Sequence, residues 1–429
     1  MKSRRLSHKR RRVAIVSAAA ASVVAGVALV PSWSAGAAIT DDPTVDAATR
    51  ATFQKLATAV LTDRTQALVD GKDGDKDRRR TSGFSGKVRL SDAQSREESS
   101  ALSELRGRKA RLARLGEKYS SAKTSVKLNA TQVKGRTAKV SVTETTTLTY
   151  RKIRGNEPKT TGFQAHHELT FKADRKGNWQ LTDIRNTDDG VAVNQIEPPP
   201  VVPEPTAVPT TSAPAPSTSA PAPSTTAPAP STSAPAPSTT ATTPNSGNPP
   251  AAPRAAITPN PPAAPKNFSA SGYDYKAMVD YATKHWNNYN PEYPSFDGAG
   301  AGGDCTNFVS QALKAGGWKH VPGYVYDYTK WFGNSEIQSH SFIGVNEFSW
   351  FALHSGRVSS LDNVYQMDLG DVLQMDFNRD GAKDHTMIVT YRSPQGVPYL
   401  SYHSTNTYNR SVASIIASYP NAYYYAYRT

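Results

Sequence analysis

The chain has 429 residues, with 50 Lys and Arg against 36 Asp and Glu, a formal net charge of +14, and one cysteine, Cys305. A single thiol excludes an intramolecular disulfide framework, and no Cys/His set has zinc-ligand spacing. The basic excess is uneven: residues 38–197 carry 30 cations and 21 anions, whereas residues 266–429 carry 12 and 14. That asymmetry suggests a basic docking module joined to a near-neutral working module.

In chain order, seven Lys and Arg residues precede an apolar run from Val13 to Val30, and Ala35-Gly36-Ala37 follows. This is the three-part layout of a secretory signal peptide over residues 1–37, so the mature chain is expected to be secreted, without stable membrane insertion. For an exported protein, the anionic partner expected for the basic module is a cell-wall polymer or lipid surface rather than nucleic acid.

Residues 38–197 begin with helical patterning. Phe53, Leu56, Val60, Leu61, Leu68 and Val69 fall on one face, and Leu102, Leu105, Leu112 and Leu115 repeat at helical spacing behind an Asp92 cap. Three strand patterns follow, the last broken at Lys176-Gly177-Asn178. Helices before an antiparallel meander predict a small α+β domain whose pattern resembles cystatin-like or nuclear-transport-factor-like folds. His166 and His167 are strand neighbours facing opposite sides, so no joint metal site is expected, nor any nucleophile–base pair in this module.

Residues 198–265 are Pro, Ala, Ser and Thr with repeated SAPAPST blocks, which reads as a semi-rigid spacer.

The final module, 266–429, opens with an amphipathic helix containing Met278, Val279, Tyr281, Ala282 and Trp286. Glycines at 298, 300, 302 and 303 then lead into Asp304-Cys305, and Phe308, Val309, Ala312 and Leu313 form a helical stripe ending at Gly316-Gly317. Cys305 thus occupies the first turn of a helix, with Asp304 as N-cap, where free N–H groups and the helix dipole favour the thiolate nucleophile. Further on, Val372–Phe377, Thr386–Tyr391 and Tyr399–His403 read as strands, with His385 opening the second. A hairpin centred near Gln395 brings His385 opposite residues 403–405 and puts His403 beside it. His385 is then the base for Cys305, with His403, or alternatively Asn406, orienting it. His285, His320, His340 and His354 read as surface or packing residues. The run Asp376, Asn378, Asp380, Gly381, Asp384 echoes a calcium loop, but Met387 stands where the acidic twelfth ligand belongs, so a hairpin turn is the better reading. Neither a metal nor a cofactor is expected.

The blocks GGDCTNFVSQALKAGG, LGDVLQMDFNRDGAKDHTMIVT and YHSTNT, with Trp331 and Ser349-Trp350, resemble the putative amidase domain of exported bacterial proteins, similar to the CHAP and NlpC-type papain-like cysteine hydrolases. The resemblance covers about residues 270–429 and implies Cys305 as nucleophile, His385 as base, and His403 as third member. It implies cleavage of an amide bond, with peptidoglycan peptides as substrate class. An acyltransferase using the same site, or a wall-binding protein with a silent site, remains open.

Overall fold

The computed structural model describes residues 45–70, 79–188, 190–196, 252–297 and 303–429. Residues 1–37, where a signal peptide is expected, most of the Pro-rich segment and glycines 298, 300 and 302 lie outside the described residues.

The N-terminal module holds two long helices on an antiparallel meander to whose last strand a short parallel strand is added. In α1 (Ala47–Gln66), Asp46 caps the start by accepting from the Thr49 N–H at 2.7 Å. In α2 (Asp92–Arg114) the cap is Ser91, one residue before the expected Asp92, its hydroxyl accepting from the Gln94 N–H. Of the apolar positions expected on these helices, Phe53, Leu56, Val60 and Leu61 of α1 pack on Val140, Leu169, Phe171 and Leu181, and Leu102, Leu105 and Leu112 of α2 are buried, whereas Leu68 and Val69 fall beyond the end of α1 and Leu115 is half-buried. The strands beneath are β1 (Val88–Leu90), β2 (Tyr119–Lys134), β3 (Thr137–Tyr150), β4 (Thr160–Ala173) and β5 (Trp179–Asn186).

The C-terminal module contains α3 (Tyr275–His285), α4 (Cys305–Ala315), α5 (His340–Ile343), α6 (Val345–His354) and α7 (Val412–Ser418). Its strands are β6 (Ser359–Leu361), β7 (Val372–Asp376), β8 (His385–Arg392), β9 (Pro398–Tyr402), β10 (Asn406–Ser411) and β11 (Tyr423–Arg428). Both modules are therefore mixed α+β, with seven α-helices among the described residues. None of the helices described is long and apolar enough to cross a membrane.

The modules share one eleven-stranded sheet. β10 pairs antiparallel with β4 through Asn406–Gln164, Thr407–Phe163 and Tyr408–Gly162. Gly162 is required at this joint, because a Cβ there would lie 2.6 Å from the Tyr408 ring and 2.9 Å from the Thr146 carbonyl oxygen. Against one face of the C-terminal strands lie α3, α4 and α6, where Phe308, Val309, Met278 and Ile388 form a core. Against the other lies α7, with Met387, Val389, Leu400, Tyr402 and Ile415. α2 reaches across to this side, donating from Arg111 Nε to the Ala417 carbonyl at 2.8 Å.

Residues 252–265 differ from the spacer reading. The Ala255 N–H donates to the Tyr424 carbonyl, the Ala256 N–H donates to the Asp362 carbonyl, and Ala252 and Ala255 are buried. Proline fixes φ but leaves carbonyls and the intervening N–H groups free to bond an edge, so composition alone does not prevent docking.

Candidate active site

The positions of the site residues follow from how α4 is pinned to β8. Gly303, at φ +82°, turns the chain into the helix. The Thr306 hydroxyl meets the Thr386 hydroxyl at 2.8 Å, and Gln374 donates to Thr386 at 3.1 Å while its Nε2 also donates to the Val345 carbonyl. Thr386 and Ile388 thus face α4. The backbone N–H of Thr386 is directed at the Cys305 sulfur, and the Thr306 hydroxyl lies 3.8 Å from it.

Cys305 is 3% exposed. Burial pushes its thiol up to about 11, outweighing the stabilisation that the Thr386 N–H and Thr306 hydroxyl give the anion, and the Asp304 carboxylate adds to the rise. At rest, desolvation is thus the largest influence on this thiol, set against the N–H and hydroxyl contacts at the start of α4.

Asp304 stands at the N-cap position, but its side chain does not cap the helix. One carboxylate oxygen faces His403 Nδ1 at 2.6 Å; the other accepts from the Phe296 N–H and from Asn307 Nδ2. These partners use up the carboxylate. His403 Nε2 meets the His285 carbonyl at 2.8 Å, and the ring is stacked between Phe308 and Tyr289 at 4.1 and 4.0 Å. A carbonyl only accepts, so Nε2 is the donor to His285. Asp304 and His403, each 1% exposed, thus satisfy one another and are held by further hydrogen bonds on both sides.

His385 is not beside His403. The β8–β9 register runs Ile388–Ser401, Val389–Leu400, then Tyr391–Tyr399, with a bulge between Val389 and Tyr391. That extra residue slips the pairing by one position, so His403 continues the Ser401 face toward α4 while His385 shares the opposite face with Met387 and Val389. There its ring stands edge-on to Tyr402 at 5.0 Å. It is fully buried, and neither nitrogen has a hydrogen-bond partner. Burial, with Arg410 nearby, pushes it down to about 3.

Asn406 accepts from the Tyr289 hydroxyl at 2.7 Å, so it reaches His403 only through the ring of Tyr289. Among the described residues no imidazole hydrogen-bonds the thiol. The sequence reading missed Asp304 as the partner of His403, and His285 as the source of the opposing carbonyl; the adjacency of Asp304 to Cys305 was the available signal. It also missed the N-terminal module at the rim. A Cβ on Gly190 would lie 1.3 Å from the Ser404 carbonyl oxygen, and the Val191 carbonyl accepts from the Tyr402 hydroxyl and from Arg410.

The carboxylates of the Asp376–Asp384 turn accept backbone N–H groups: Asp376 from Arg379 and Gly381, Asp384 from Phe377. His167 pairs with the buried Glu144 at 3.0 Å, whereas His166 pairs with Asp188.

Residues 272–427 match the model of the family described as "Putative amidase domain". Two Bacillus subtilis (strain 168) proteins are similar to this part of the chain. "Uncharacterized protein YhbB" is 29% identical over 155 residues, covering 33% of this chain and 48% of that protein. "Uncharacterized protein YjcM" is 32% identical over 151 residues, covering 33% of each. The chain thus spans between a third and half of the length of the curated relatives it matches. Among solved structures, the intermembrane space region of chloroplast protein ARC6 aligns with 34% of this chain and 98% of that chain at 15% identity and a TM-score of 0.21.

Proposed function

We propose, from the match of residues 272–427 to the putative amidase domain family, that this protein is an exported, papain-like cysteine amidase cleaving an amide bond in peptidoglycan peptides. The observation that carries the reading is the meeting, at one buried point, of Cys305 in the first turn of α4 with the neighbouring Asp304–His403 pair.

In the proposed reaction His385 accepts the thiol proton as the Cys305 sulfur attacks the amide carbonyl carbon. The amine departs with that proton. Water, activated by the same imidazole, then hydrolyses the thioester to a carboxylic acid and restores the thiol. Thiol and imidazole are both neutral at rest, so proton transfer accompanies attack rather than preceding it. For this, His385 must leave the face it shares with Met387 and Val389, where its ring stands edge-on to Tyr402, and approach the sulfur from the side on which Thr386 directs its N–H. N–H groups of the first turn of α4 serve the oxyanion. His403 acts as a positioning residue that holds Asp304, and Asn406 supports it through Tyr289.

One observation favours a second reading, a wall-binding protein with a silent site: the resting thiol has no imidazole partner among the described residues. Wild type and Cys305→Ala, each incubated with purified sacculi, distinguish the two. New free amino groups with wild type alone, and fragment masses naming the bond, support the amidase; transfer of an acyl group to an added amine reveals the acyltransferase variant. Equal, negligible release with retained sedimentation on sacculi establishes the binder.

A further inference from the structure

Between the two modules lies a cleft of about 1030 Å³. Its walls are the end of α2 and the turn after it, the β3–β4 loop, the extended segment 259–264 and the β8–β9 turn. Six basic side chains line it, Arg114, Lys118, Arg151, Lys152, Arg154 and Arg392, against two acidic ones, Glu117 and Glu157.

Three of the six cations are already engaged. Lys118 and Arg151 share Asp70 at 3.0 and 3.3 Å, and Arg392 donates to the Tyr365 and Met367 carbonyls. Among the described residues the side chains of Arg114, Lys152 and Arg154 have no ion-pair or hydrogen-bond partner, and all three are exposed. The two acids leave the wall with a net positive charge. Glu157 accepts from the Arg154 backbone N–H, and burial pushes Glu117 up to about 7, so near neutral pH it is only partly charged.

The macrodipole of α2 accounts for Arg114 in the turn that closes it, but Lys152 and Arg154 sit on a loop with no helix to complement. Like charges gathered in a concave, low-dielectric wall focus a positive potential, which disfavours the empty cleft and concentrates anions there. Two of the three unpaired cations are guanidiniums, whose planar fork matches phosphate. One side of the cleft is the extended segment with Pro259, Pro261 and Pro262, and its basic residues come from two separate elements, the end of α2 and the β3–β4 loop, a spread that successive phosphates of a linear chain can match.

We propose that this cleft binds a linear phosphodiester polyanion through Arg114, Lys152 and Arg154 of the N-terminal module, with the C-terminal module forming the facing wall. A membrane surface is the less suitable partner, since the cations lie in a hollow, although Ile153 is exposed on the same loop.

The test measures binding of the full chain to poly(glycerol phosphate) between about 0.05 and 0.3 M salt. Wild type is compared with a triple variant, Arg114→Gln, Lys152→Gln, Arg154→Gln, and with a charge-matched control, Lys55→Gln, Lys127→Gln, Lys134→Gln, on exposed sites away from the cleft. The cleft variant is expected to bind at least tenfold more weakly at 0.1 M salt, with its log–log salt slope reduced by about 2, at roughly 0.7 per lost phosphate contact. The control keeps the wild-type slope to within about half. An absence of wild-type binding, or equal losses in both variants, overturns the proposal. So does binding to phosphatidylglycerol vesicles without binding to the polymer, which makes the loop a membrane contact. Superimposable thermal melts of the three proteins exclude unfolding as the cause.

Discussion

Because Cys305 is the sole thiol, alkylation of the intact chain reports one site, and the structure sets its expected rate. Thiolate is the reacting species, and burial moves the thiol from an ordinary value of 9.0 to about 11. At pH 7 the folded chain then holds about one thiolate in ten thousand, against about one in a hundred in the unfolded chain. That hundredfold deficit corresponds to ~3 kcal/mol at 1.36 kcal/mol per decade. Iodoacetamide should therefore label native protein at least about a hundredfold more slowly than protein in denaturant, and restricted access can only widen the gap. The native rate should rise tenfold per pH unit through pH 9, with no plateau between 6 and 8. His385→Ala should leave that slope unchanged, since no imidazole touches the sulfur at rest. A flat native rate between pH 6 and 8 that matches or exceeds the denatured rate, and that His385→Ala abolishes, would refute the reasoning by revealing a resting thiolate–imidazolium pair.

Other outcomes follow from the same geometry. His385, ordinarily near 6.5 and pushed down to about 3 by burial, is held neutral in the folded state while the unfolded chain takes up a proton. Its contribution is present above pH 6.5 and lost as pH falls toward 3, at most ~5 kcal/mol; thermal melts of His385→Phe should show a flatter acid limb than wild type over that window. Asp304→Ala leaves the imidazole of His403 buried without its carboxylate and should cost about 3–5 kcal/mol in denaturant unfolding, whereas His403→Phe, which stacks between Phe308 and Tyr289, should cost less. Gly162→Val drives a side chain into Tyr408 and the Thr146 carbonyl, so it should destabilise by about 1–3 kcal/mol, and hydrogen exchange should loosen first along β10.

Periodicity by itself determined a good part of this protein. The buried faces of α1 and α2, the start of α4 at Cys305 and its stop before Gly316, and the strands around His385 all follow from patterns whose physical cause is local. Side chains repeat every 3.6 or 2 residues, and glycine ends a helix where the chain must turn left-handed. Three features required the assembled chain. A one-residue bulge between Val389 and Tyr391 put His385 and His403 on opposite faces of the sheet, because strand facing alternates and one extra residue inverts everything beyond it. Asp304, which local reasoning assigns to the helix cap, was drawn instead to an imidazole 99 residues away. And segments with no pattern of their own took their places through distant partners: residues 252–265 by backbone bonds to Tyr424, Asp362 and Val364, and Val191 by accepting from the side chains of Tyr402 and Arg410. Local sequence sets which groups a segment can offer; which partner each group meets is decided by the competition among distant surfaces for burial, and only the tertiary structure resolves that.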